Sequence, residues 1–233
     1  MKRFVTLPLI ALLFVAALSA VPRPAAAQGP GLISSVLNRM DKNRRELKSL
    51  RSGLVMQKWN QQIRQEEMQY GDLQYIAGTG TNMSVRVDWT RPVREHLAVK
   101  DGQYTLFRPR LNQAYQGSAK SGSKNAKVSD ALGFSLNMSG AQLKSRFNVE
   151  YVGEGNLYDN VFVTQLKLTP KAGASYQYAE VWVDRSGMPV QTKVVQRNGD
   201  FTLVRLTGVQ KNAPVSADAI NLSLPSGVKI VKG

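Results

Sequence analysis

The 233-residue chain has no cysteine and one histidine, His96. Without cysteine there are no disulfides, so stability must come from packing. Thiol catalysis and cysteine metal sites are excluded as well. One histidine cannot form a histidine cluster around a metal ion. Acids are scarce, at 16 against 31 Lys and Arg. Glu66 and Glu67 are adjacent, so on a strand they point to opposite faces and cannot share a site. Ser121-Gly122-Ser123-Lys124 has the Ser-x-x-Lys spacing of some serine acyl enzymes, but lacks their companion motifs and lies in a Gly/Ser/Lys-rich stretch. Gly78-Thr79-Gly80 lacks the third glycine of a phosphate-cradling loop. These absences direct the reading to a binding protein rather than an enzyme, with no cofactor and no metal.

Beyond residue 21 no apolar run is long enough to span a bilayer. The one long run is at the start. Lys2 and Arg3 precede an apolar stretch from Phe4 to Val21, followed by Pro22-Arg23-Pro24 and Ala25-Ala26-Ala27. This is the basic, apolar and small-residue order of a secretory signal. Cleavage is expected after Ala27, leaving residues 28–233 as one soluble domain outside the cytoplasm. The cleavage point reads Ala27-Gln28, with no cysteine to carry acyl chains, so a lipid anchor of the lipoprotein type is not expected.

Removing residues 1–27 takes away Lys2, Arg3 and Arg23 and no acid. The 31 bases become 28 against 16 acids, a net charge of +12. Export argues against nucleic acid as the partner of this charge. Anionic membrane surfaces, acidic protein faces and a merely soluble basic surface stay open.

Residues 31–50 read as a helix, with Ile33, Val36, Leu37, Met40 and Leu47 recurring at helical spacing and Gly53 as the stop. From Leu54 the period becomes two. Met83, Val85, Val87 and Trp89 alternate with Ser84, Arg86, Asp88 and Thr90, as in a strand with one apolar face. Asp101-Gly102 sits between Leu97/Val99 and Tyr104/Leu106, a hairpin pattern. Further strands are expected at residues 161–169, 176–184, 190–196, 201–208 and 229–231. Residues 116–127 (QGSAKSGSKNAK) have loop composition. Ser129 is placed to cap a short helix with Ala131, Leu132 and Phe134, and Ser139-Gly140 to open another with Leu143 and Phe147 on one face. Short strands joined by short turns mean antiparallel pairing. The apolar face of such a sheet is either filled by its own side chains or left as a hollow for acyl chains; periodicity leans toward the filled core without settling it.

The order of short motifs carries a resemblance. VLNRMDK at 36–42, Gly71-Asp72-Leu73, Trp89-Thr90-Arg91-Pro92 and LAVKDG at 97–102 are followed by RPRLNQA at 108–114, LKLTPKA at 166–172 and VWVDRSGMP at 181–189. Lys211-Asn212 and LSLPSGVKIV at 222–231 complete the set. Together they resemble the periplasmic outer-membrane lipoprotein carrier (LolA-like) family over nearly all of the chain beyond residue 27.

The resemblance implies an α+β fold: an unclosed antiparallel β barrel, a curved sheet with short helices as a lid over an apolar concave face. It implies a monomeric periplasmic carrier of acylated lipoproteins, or of another lipid. An inner-membrane ABC transporter would release the cargo to it, and an outer-membrane acceptor or the membrane surface would receive it. A lipid- or lipoprotein-sensing regulatory domain of related fold, usually joined to a second domain, is the alternative. The implied ligand-binding residues are Ile33, Val36, Leu37 and Met40 on the lid helix, then Leu73, Val85, Val87, Trp89, Leu97 and Val99 on the first strands. Leu132 and Phe134 add a second part of the lid, and Val181 and Val183 a later strand, with Trp182 facing outward. Val85 and Val87 stand where the family has aromatic residues. Ala77, followed by Gly78, stands where the family has the arginine that locks the lid, so lid closure here must use other contacts or be looser.

Overall fold

The computed structural model describes residues 29–78, 83–118 and 138–232. Among these residues, twelve strands form one sheet in the order β12-β6-β5-β4-β3-β2-β1-β11-β10-β9-β8-β7. In chain order they are β1 (Ser49–Asn60), β2 (Gln65–Ile76), β3 (Ser84–Arg91), β4 (Glu95–Lys100), β5 (Gln103–Arg108) and β6 (Gln113–Ser118). The second half supplies β7 (Phe147–Asn156), β8 (Phe162–Pro170), β9 (Tyr176–Asp184), β10 (Pro189–Gln196), β11 (Phe201–Lys211) and β12 (Lys229–Lys232). Neighbours are antiparallel except β12, which runs parallel to β6. The edge strands β7 and β12 do not pair, so the curved sheet is an unclosed barrel. Three α-helices accompany it among the described residues: α1 (Gly29–Glu46), α2 (Gly140–Arg146) and α3 (Ala217–Ile220).

The hairpin expected at Asp101-Gly102 joins β4 and β5, with φ of 50° and 71° at its two central residues. Both positive angles match the twist of the flanking strands. The helix expected at Ser139-Gly140 is α2. The Ser139 side chain accepts from the Gln142 amide while the Gln142 side chain accepts from the Ser139 amide, a complete capping box.

Three expectations need correction. The first helix ends at Glu46, not Leu50. The Leu47 amide closes the last turn on the Asn43 carbonyl at 2.8 Å, and the Lys48 amide then turns to the Asn212 side chain. Leu50 and Gly53 belong to β1, paired with β2 and β11. Leu47 and Leu50 are as buried as the helix stripe, so apolar spacing alone runs across the boundary. Next, Gln116, Gly117 and Ser118, which have loop composition, are the end of β6, where pairing with β5 overrides weak local propensity. Finally, β7 has no counterpart among the expected strands: as an edge strand it is mostly exposed and has no clean alternation. The helix expected from Ser129 and the Ser121–Lys124 spacing lie outside the described residues.

Candidate functional site: the inner apolar face

Strand register builds one continuous apolar face. Leu50, Tyr75, Val85, Val99 and Tyr104 are successive cross-strand partners from β1 to β5. Leu73, Val87, Leu97 and Leu106 form a second row across β2 to β5. Met56, Val204, Thr192, Val181 and Leu166 continue the same face across β1, β11, β10, β9 and β8. Period-two alternation puts Leu50, Leu54 and Met56 on that one face of β1, which joins the two halves.

The face divides into two packed clusters. In the first, Leu73, Val85, Val87, Trp89, Leu97 and Val99 pack with Leu54, Met56, Tyr75, Tyr104, Leu106 and Leu206. In the second, Val36, Leu37 and Met40 of α1, with Ile33 at its margin, pack with Leu143, Phe147, Leu166, Leu168, Val181 and Val183. The residues expected to form one site thus lie on one face but in two groups, with α1 packed in the β7–β10 group. Trp182 alternates with Val181 and Val183 on β9 and is half-buried, packed against the first cluster. Leu132 and Phe134 lie outside the described residues.

Leu54, Met56, Val204 and Leu206 escape the sequence reading. On β1 the outward Val55 is also apolar, so alternation is blurred there. Tyr104 and Leu106 are visible as the far side of the Asp-Gly hairpin. Tyr75 brings a phenol to this face: burial pushes its pKa up, with Arg44 of α1 a weaker opposing influence.

Helix α1 is fastened at both ends. The Asp41 carboxylate accepts the Gly140 amide of α2 at 2.8 Å, and Lys144 donates to Ser34 at 3.2 Å. Toward its C-terminus, Asn43 donates to the sulfur of Met188 at 3.4 Å and accepts from Lys211 at 3.1 Å. Ala77 joins the margin of the first cluster, and its amide donates to the Lys48 carbonyl at 2.8 Å. The contacts through Asp41, Asn43 and Met188 hold the helix against α2 and the sheet.

Two open recesses, of about 330 and 300 Å³, lie among the described residues. The larger is lined by Arg51, Asp72, Gln74 and Gln210, the smaller by Tyr176, Gln177 and Arg197. Arg51, Asp72 and Gln74 face the outer side, whereas Ser52 and Leu73 alternate with them and also line the larger recess, so its lining mixes polar and apolar groups. The residues of the inner apolar face are themselves buried. Among the described residues no group of His, Asp and Glu is arranged to hold a metal ion, and no helix is long and apolar enough to cross a membrane.

A single curled sheet, unclosed and apolar inside with a helix fastened over one end, defines a mostly antiparallel half-barrel with a helical cover. The family model for the outer membrane lipoprotein carrier protein LolA matches residues 81–222, and the chain belongs to that family. Among solved structures it is similar to MucB, at 17% identity and a TM-score of 0.56 over 83% of this chain and 63% of that one. It is also similar to the MucA/MucB complex structure of Pseudomonas aeruginosa, at 18% identity and a TM-score of 0.51 over 82% of this chain and 61% of the other. An uncharacterized conserved protein from Thermus thermophilus shares 11% identity, with a TM-score of 0.52 over 86% of this chain and 98% of that one. The chain spans less than two thirds of the two MucB chains, and at these identities the likeness is one of fold. No curated protein matches the chain at a significant level.

Proposed function

We propose that residues 28–233, freed from a signal peptide after Ala27, form a single-domain periplasmic carrier that shelters the acyl chains of lipoproteins on its inner face. The observation that supports this best is the largely apolar face that runs from β5 to β8, with α1 packed over its β7–β10 end. Each methylene removed from water is worth about 0.8 kcal/mol, so acyl chains need such shelter to cross an aqueous space. Cargo enters as α1 lifts from β7–β10. A carrier that must also release its cargo benefits from a face that closes on itself, because reclosure competes with the bound chains. An inner-membrane ABC transporter loads it, and an outer-membrane acceptor or the membrane surface unloads it. The carrier acts as a monomer, without cofactor.

The test is direct. Protein purified from the periplasm is analysed by mass spectrometry for co-purified acylated molecules and titrated with a fluorescent fatty acid. Uptake is expected, with weaker uptake by Val87→Trp, which adds volume to the inner face. A folded wild-type protein that takes up no acyl chain would remove the carrier function.

A second reading has its own support, since the similar MucB structure includes one solved together with MucA. A lipid-responsive regulatory domain would bind a partner protein in an acyl-dependent way. Pull-down from envelope extract with and without fatty acid separates the two: acyl-dependent capture of one regulatory protein favours the sensor, and capture of many lipoproteins favours the carrier.

A further inference from the structure

Four neighbouring points on one rim of the sheet repeat a chemistry that acyl binding does not use. Ile63 and Arg64 lie in the β1–β2 turn, Val93 and Arg94 in the β3–β4 turn, Arg110 and Leu111 in the β5–β6 connection, and Lys229 and Ile230 at the start of β12. The strand order places these points side by side, and Lys229 pairs in parallel with Gln113, which puts the start of β12 at the same end. The aliphatic members are exposed: 64% for Ile63, 56% for Leu111, 45% for Ile230 and 37% for Val93. Arg64, Arg94 and Arg110 form no ion pair among the described residues.

One exposed aliphatic side chain needs no explanation. A cation beside an aliphatic residue at four adjacent points does, because solubility calls for the charge and not for its neighbour. With strands about 4.8 Å apart, successive turns stand roughly 10 Å from one another, so the row is a line of separate tips and not a groove. Separate convex tips offer little shape to a folded partner. A fluid surface needs none: cations meet headgroup phosphates while aliphatic tips enter the interface beneath them.

We propose that this rim docks the protein on an anionic bilayer, with Arg64, Arg94, Arg110 and Lys229 on phosphates and the aliphatic tips in the interface. Docking requires a membrane within reach, as export provides, but no acyl cargo, so it can fail without the carrier function failing.

The test is co-sedimentation of the processed protein, purified from the periplasm, with phosphatidylglycerol-rich vesicles and with pure phosphatidylcholine vesicles. Binding is expected to the anionic vesicles and to weaken as salt is raised. Arg94→Gln with Arg110→Gln should weaken it roughly thirtyfold. Ile63→Ser with Leu111→Ser should weaken it about tenfold or more. Both double variants change exposed turn residues, so their circular dichroism and melting should match the parent. No sedimentation with anionic vesicles at low salt, equal binding to phosphatidylcholine, or binding that neither double variant weakens would each overturn the proposal.

Discussion

Gly187, in the turn between β9 and β10, lies flat against the backbone of Arg39 in α1. A Cβ at position 187 would overlap the Arg39 carbonyl oxygen, and the residue also sits at φ of +84°. The turn and the helix therefore fit together only because position 187 has no side chain.

Gly187→Ala is expected to push α1 off the sheet rather than unfold the sheet. The left-handed backbone and the overlap together should cost about 2 kcal/mol or more. Hydrogen exchange should speed up in α1 and hardly change in β1 and β11. If α1 gates the inner face, fatty-acid uptake should become faster in this variant.

The converse experiment pins the helix. A Cβ at Gly140 would stand 3.1 Å from the Cβ of Leu37, tighter than the roughly 3.5–4.5 Å of a disulfide, so a bridge needs the two helices to move apart by a few tenths of an ångström. Leu37→Cys with Gly140→Cys, in a chain with no other cysteine, ties α1 to α2, and α2 runs directly into β7 at Phe147. The oxidised form should take up acyl chains more slowly than the reduced form, and reductant should restore the rate. Equal rates would mean that entry does not use α1.

Burial of the Tyr75 phenol has a consequence at high pH. Its pKa is raised in the folded state, so the unfolded chain loses this proton first as pH rises. The stabilising effect is full below about pH 10 and is lost as pH climbs through the folded value. Alkaline titration followed by tyrosinate absorbance should show late ionisation of the Tyr75 phenol, and Tyr75→Phe should remove that late component and flatten the alkaline loss of stability.

On the outer side, Asp88 holds Arg86 at 3.0 Å and His96 at 2.6 Å, while Arg86 donates onward to the Asn221 carbonyl at 2.7 Å. This chain of contacts ties the segment after α3 to β3 and β4. Asp88→Asn should destabilise the protein by about 1–2 kcal/mol. The loss should be local, with faster exchange of the Ala219 and Asn221 amides and unchanged protection in β10 and β11.

Strands with clean alternation were legible in the sequence, as Val85, Val87 and Trp89 show, because a half-buried strand writes its two faces as a period of two. The Asp101-Gly102 hairpin was legible because few residue pairs tolerate two successive positive φ angles. The Ser139 cap was legible because its partners lie three residues away. Each of these signals is local. The end of α1 was not, because Leu47 and Leu50 are buried by contacts from distant strands and mimic one more helical turn. Nor was β7, since an edge strand is defined by what fails to pair with it.

The sequence by itself determined that this is a cysteine-free, basic, mostly antiparallel β protein of the lipoprotein-carrier family, because composition, alternation and ordered motifs are properties of the chain. Tertiary structure alone decided that the expected binding residues fall into two clusters, that α1 packs over one end of the face, and that the residues of the face are buried. Those outcomes depend on register across eleven strand pairings and on where a helix docks. Contacts between residues more than a hundred positions apart, such as Asn43 with Met188 and Lys211, set that docking, and no short window of sequence contains them.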